Sequence, residues 1–292
     1  MIAVLGMPWA LPWPFDREYM QLALIAALAV GACAPLIGAF LVQRRLSLLG
    51  DGIGHVAVAG VGAAFLADFA PFWTALVVAV LAALAIEWTR SHTRTSGDLA
   101  LALMFYGGIA AGVVLSSKAD AGANLQNYLF GSILTVSESD AITIIVLGIA
   151  IVATILVTGR ALLAIALDEE SARVAGVPVG GLNSLLAVLT AVTIVASMQI
   201  VGVLLIAALM VLPVAAARLF TRSFRSTLIV SVVVGMLAAG AGLAAARAWS
   251  LAPGGTIVLT CVAIFVIAAV ATTFRPRRRG AAPADALLSG PH

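Results

Sequence analysis

Long apolar runs alternate with short polar breaks along almost the whole chain. Stretches of about 20 residues with little or no charge recur at 20–42, 50–67, 71–89, 99–117, 140–160, 183–199, 201–217, 227–246 and 255–274. A helix rising 1.5 Å per residue needs about 20 such residues to cross a hydrocarbon layer about 30 Å thick. The pattern therefore predicts an all-α polytopic membrane protein with about nine transmembrane helices, eight to ten being admissible. The uncharged stretch 185–217 decides the count. As one helix its 33 residues would reach roughly 50 Å, too long for one crossing. Two crossings with a tight turn near Ser197, Gln199 and Gly202 fit better.

Charge then orients the spans. With nine crossings, one side receives Arg44, Arg45, Arg90, Arg94, Arg160, Arg173, Arg218, Arg222, Arg225 and the tail Arg275, Arg277, Arg278 and Arg279. The other side receives Arg17, Lys118 and Arg247. Basic loops stay in the cytoplasm, so the N-terminus is expected outside and the C-terminus inside. Counting 185–217 as one crossing would put seven of those arginines outside. The expected organisation is an extracytoplasmic segment 1–19, a transmembrane region 20–274 and a basic cytoplasmic tail 275–292 without apolar periodicity. The start, with Pro8, Pro12 and Pro14 and no basic residue in the first fifteen, does not resemble a cleavable leader.

Composition agrees and adds exclusions. Hydrophobic residues make up 63% of the chain and charged residues 10%, against about 25% charged in soluble domains. Lys118 is the only lysine and follows a serine, so no Walker A phosphate loop exists here. There is no H-E-x-x-H, and His55, His92 and His292 are too scattered for an all-histidine metal centre. No arginine ladder of a voltage sensor lies within a span. Cys33 and Cys261 both fall in apolar runs and read as small hydrophobic fillers. Any nucleotide-driven step must come from a partner chain.

Two stretches carry chemistry. In "RRLSLLGDGIGHVAVAG", residues 44–60, Asp51 and His55 stand four apart and so share one helix face, one turn apart. A helix beginning near Leu46 would place them about 7–8 Å and 13–14 Å deep, the imidazole near the bilayer midplane. A carboxylate oxygen beside an imidazole nitrogen suits Zn²⁺, Mn²⁺ or Fe²⁺. The same residues could instead satisfy each other in a packed bundle, but ionisable groups this deep usually line a pathway. In "LDEESARVAGVPVGG", residues 167–181, Asp168 can cap a short helix whose first positions, Glu169 and Glu170, suit its positive end. Gly176 and Pro178 end it after about two turns. Such a helix suits a docking knob for a cytoplasmic protein, or an ordinary surface loop.

"RRLSLLGDGIGHVAVAGV", "NYLFGSILTVS", "LDEESARVAGVPV" and "MQIVGVLLIAALMVLPVAAARL", in this order over about 20–274, resemble the permease subunits of ABC importers for zinc, manganese and iron. The resemblance implies a homodimer bound to two cytoplasmic ATPase subunits and an extracytoplasmic metal-binding protein, in a bacterial plasma membrane. It implies that Asp51 and His55 match the metal-path pair. It also implies that Asp168, Glu169, Glu170, Ala172 and Gly176 lie in the ATPase-coupling stretch. The chain would hold no cofactor of its own, its cargo being zinc first, with manganese or ferrous iron as alternatives. A second copy would raise two ligands to four across the axis.

Two other classes remain open at this stage: a proton-coupled carrier using Asp51 and His55 as a relay, and a membrane scaffold in which both are dispensable. Among lesser positions, Asp68, Glu138, Asp140 and Arg247 fall near outer loops, and Glu87 with Arg90 reads as an interfacial pair. His92 lies in a polar loop without a metal role. Asn183, Ser197 and Gln199 are candidates for bridging helices, and Pro213 for a kink.

Overall fold

A computed structural model describes residues 13–92, 97–120, 122–132 and 137–274. Residues 1–12, the loop at 93–96 and the tail 275–292 lie outside the described residues. The helices are α1 (Glu18–Gln43), α2 (Leu49–Ala67), α3 (Pro71–His92), α4 (Gly97–Lys118), α5 (Gly122–Phe130), α6 (Glu138–Leu167), α7 (Glu169–Val174), α8 (Val179–Ser197), α9 (Val203–Arg218), α10 (Phe224–Trp249) and α11 (Pro253–Thr273). Eight of them are long and apolar enough to cross a membrane, and the 16-residue α9 is a shorter apolar ninth. The chain is a multi-pass membrane protein.

The apolar stretch 185–217 does divide. Residues 198–202 form a turn between α8 and α9, with Gly202 at φ +88° as the residue before α9. The Ser132 amide donates to the Gln199 carbonyl at 3.0 Å, which ties this turn to the segment after α5. Elsewhere the main departure is α6, whose apolar run at 140–160 extends into a helix of 30 residues. At about 45 Å it exceeds the hydrocarbon thickness, so its last turns, from exposed Arg160 onward, carry it out to α7. Its start is fixed by a capping box, in which the Ser137 hydroxyl accepts from the Asp140 amide and the Asp140 carboxylate accepts from the Ser137 amide at 3.0 Å.

Helices α1 and α2 are the most enclosed spans, α1 packing against α6, α8, α9 and α10 and α2 against α3, α4 and α9. Buried hydroxyls are satisfied inside their own helices: Thr190 and Thr193 donate to the carbonyls of Leu186 and Leu189 at 2.7 Å. Ser197 likewise donates to Thr193, so it does not bridge helices as expected. Helix α9 continues through Pro213.

Two cavities mark opposite ends of the bundle. One of about 530 Å³ is lined by Arg44, Glu87, Arg90, Glu169 and Asn183, where α1 and α3 finish and α7 and α8 begin. The other, of about 540 Å³, is lined by Phe65, Phe72, Tyr128, Asp140 and Gln199, where α2 finishes, α3 and α6 begin and the α8–α9 turn lies. Successive spans therefore alternate in direction.

Candidate functional site

The connection between α1 and α2 sets where Asp51 and His55 fall. Helix α1 ends in a reversed turn: the Arg45 amide donates to the Val42 carbonyl at 3.2 Å and the Leu46 amide to Leu41 at 2.8 Å. These are the two bonds of a Schellman closure, with Arg45 in the left-handed position at φ +59° where glycine is usual. The turn consumes residues 45–48, so α2 starts at Leu49 and not near Leu46. Asp51 then lies about 3 Å and His55 about 9 Å along α2. The expected start of α2 near Leu46 is corrected, and with it the distances of about 7–8 Å and 13–14 Å from the helix start. Both residues sit in the third of α2 nearer Arg44.

Asp51 is half-buried and lines a cavity of about 230 Å³ with Leu48, Leu101, Phe105 and Tyr106, between the start of α2 and α4. His55 is buried, 7% exposed, with its ring edge-on to Phe105 at 4.1 Å between centroids. Its Nδ1 is buried without a hydrogen-bond partner. Asp51 and His55 are therefore not joined by a bond at that nitrogen, though they share a helix face. Gly108 makes the packing possible: a Cβ there would stand 2.7 Å from the His55 carbonyl carbon. Small residues let helix backbones approach in this way. Among the described residues no group of three or more His, Cys, Asp and Glu side chains converges. Among the described residues the pair thus offers a carboxylate and an imidazole nitrogen.

The second stretch folds as its sequence indicates. The Asp168 carboxylate accepts from the amides of Glu170 (3.0 Å) and Ser171 (3.1 Å), capping α7. The Ser171 hydroxyl and amide hold the Asp168 carboxyl below the ordinary carboxylate value. At the other end the Val177 amide donates to Ala172 and the Gly176 amide to Arg173, both at 3.1 Å, with Gly176 at φ +83°. This is a second Schellman closure, here with glycine in the left-handed position. Ala172 is the buried side of this helix, while Glu169 is half-buried and Asp168 and Glu170 are exposed.

Arg44 joins the two stretches, a role not read from the sequence. Its guanidinium donates to Asn183 Oδ1 at 2.7 Å and to a Glu169 carboxylate oxygen at 3.3 Å. Arg173 reaches the other oxygen of Glu169 at 3.2 Å. Burial lowers the Arg44 pKa and nearby Arg90 lowers it further, while Glu169 opposes both. The expected Glu87–Arg90 pair forms at 3.4 Å in the same cavity. Asn183 does bridge helices, and so does Gln199, whose amide donates to Asp140 Oδ1 at 3.3 Å.

The sequence profile of the ABC 3 transport family matches residues 16–272. The chain belongs to this family. Members are permease components of ABC transporters, and comparison with individual proteins agrees. The manganese import system permease protein ScaB of Streptococcus parasanguinis is 34% identical over 250 residues, covering 86% of this chain and 89% of that one. The manganese transport system membrane protein MntC of Halalkalibacterium halodurans is 32% identical over 252 residues, covering 86% of each. Among solved structures, PsaBC from Streptococcus pneumoniae in complex with Fab superposes with a TM-score of 0.79 at 33% identity. That match covers 87% of this chain and 91% of that one. This ABC 3 family member thus has the all-helical permease fold expected for it.

Proposed function

We propose that the chain is the permease of an ATP-driven importer of divalent transition-metal ions, working as a homodimer with a cytoplasmic ATPase and an extracytoplasmic metal-binding protein. The observation that carries the reading is the buried, unpartnered Nδ1 of His55, one turn from Asp51, in a member of a metal-transport family. An imidazole nitrogen left without a hydrogen bond in an apolar bundle is costly unless something else engages it. A dication passing Asp51 supplies that partner, the carboxylate oxygen offsetting its charge. Two chains related by a two-fold axis bring two oxygens and two nitrogens, enough to strip part of a hydration shell without the grip of a structural site.

The basic end of the bundle faces the cytoplasm in this reading, which puts the N-terminus outside and α7 within reach of an ATPase. Glu169 of α7 grips Arg44, and Arg44 precedes by seven residues the carboxylate of Asp51. Movement of α7 by the ATPase passes through this ion pair to the α1–α2 turn and so to the metal ligands. A proton relay between Asp51 and His55 has less support, because His55 Nδ1 takes no hydrogen bond.

Manganese is the cargo we infer first, in place of zinc, because several relatives that match most of this chain are named for manganese. Oxygen and nitrogen ligands accept either ion. The test is radioactive manganese uptake by proteoliposomes holding the permease, its ATPase and its binding protein. Uptake should need ATP and resist collapse of the proton gradient, and excess zinc should compete poorly. ATP-independent uptake that follows the proton gradient would overturn the reading.

A further inference from the structure

The cavity at the end of the bundle away from Arg44 is built from oxygen acceptors and aromatic rings. About 540 Å³ in volume, it is bounded by Phe65 and Phe72, by Asn127 and Tyr128 of α5, by Asp140 of α6 and by Gln199 of the α8–α9 turn. Among the described residues no basic side chain lines it. Asp140 uses one carboxylate oxygen on the helix cap, accepting from the Ser137 amide at 3.0 Å and its hydroxyl at 2.6 Å. The other oxygen accepts from Gln199 Nε2 at 3.3 Å. That bond fixes the amide, because a flipped Gln199 would set two acceptors against each other. Gln199 Oε1 is consequently left buried with no hydrogen-bond partner. The Tyr128 ring packs edge-on to Phe65 at 6.0 Å, and burial together with the Asp140 charge pushes its phenol upward, so it stays protonated.

We propose that this cavity is a receiving site for a hydrated divalent cation, held by Asp140 and Gln199 with Asn127 and Tyr128 at its margin. The proposal rests on reading the chain as a divalent-metal permease and adds a second station to Asp51 and His55. A carboxylate with no cationic partner among the described residues attracts positive charge, and an orphaned amide oxygen beside it needs a donor or a cation. The donor set is all oxygen, which suits Mn²⁺ and other hard dications over softer ions. At about 30 Å³ per water the cavity holds an ion with much of its hydration shell. The ion would arrive hydrated here and exchange water for nitrogen only at His55.

The experiment uses full-length purified permease with Mn²⁺ alone as the probe, binding being read from loss of the free ion's EPR signal. The parent protein carries Asp51→Asn with His55→Ala, so only other sites report. On that parent, Gln199→Glu adds an anionic oxygen and Gln199→Leu removes the acceptor. The Glu variant should bind Mn²⁺ at least tenfold more tightly than the Leu variant, which a merely structural glutamine would not produce. Should either Gln199 change unfold the chain, Asn127→Asp on the exposed rim reads the same gain of charge and should tighten binding severalfold. Absence of binding in the parent, or indifference to these charge changes, overturns the proposal. Failure of the Asp51–His55 reading shows differently, as metal uptake persisting in the parent.

Discussion

Arg44 and Glu169 lie 125 residues apart in the chain yet meet at 3.3 Å, with the arginine side chain only 7% exposed. The contact joins the end of α1 to the first residue of α7. Since Glu169 is itself 43% exposed, solvent screens the pair and its worth in stability is about 1 kcal/mol or less. Its consequence should be larger for coupling. Glu169→Gln is expected to leave the fold intact, to lower Tm by a few degrees at most, and to uncouple ATP hydrolysis from uptake. Hydrolysis and uptake measured together in proteoliposomes check this, and a double-mutant cycle with Arg44→Gln should show the two effects non-additive.

Gly176 has open space where a Cβ would sit, so the constraint on it is conformational. A β-branched residue at φ +83° costs roughly 1–2 kcal/mol, whereas asparagine tolerates the left-handed region. Gly176→Val should therefore weaken pull-down of the ATPase severalfold, with Gly176→Asn nearer to the native level. Equal retention by both would remove α7 from the docking surface.

Gly108→Ala tests the packing that surrounds the imidazole. Its methyl would meet the His55 backbone at 2.7 Å, and forcing α4 off α2 should cost about 1–3 kcal/mol. A lowered Tm with reduced uptake is expected. Alanine at the neighbouring Gly107, where nothing lies within 4 Å, should be silent.

Topology is checked by single-cysteine labelling. Ser139 at the start of α6 and Ser171 of α7 are both exposed and lie at opposite ends of the bundle. An impermeant maleimide added outside should label Ser139→Cys and spare Ser171→Cys, the native Cys33 and Cys261 being buried.

Much of this was legible in the sequence for local reasons. Each span needs about 20 apolar residues, and Asp168 and Gly176 announce the ends of α7 through rules that act within one or two turns. The break between α8 and α9 was legible from length, since 33 uncharged residues overrun one crossing, and Gly202 at φ +88° lies in it. What the sequence hid is non-local or runs against those rules. Arg45 occupies a left-handed position where glycine is the usual signal, so the start of α2 was placed three residues early. Arg44 counted only as a topology charge, since nothing local ties it to Glu169 or Asn183. Phe105 and Gly108 looked like ordinary residues of an apolar run until α4 packed against His55.

The claim that Asp51 and His55 carry the metal is tested most directly by measuring uptake and thermal stability on the same purified variants. Asp51→Asn keeps size and removes the charge that offsets a dication, and His55→Ala removes the nitrogen. Because the His55 Nδ1 is already without a partner, neither change strands a bonded group. Each should abolish manganese uptake in proteoliposomes while Tm stays within a few degrees of the parent. Retained uptake with a lowered Tm would contradict the account and return the pair to a packing role.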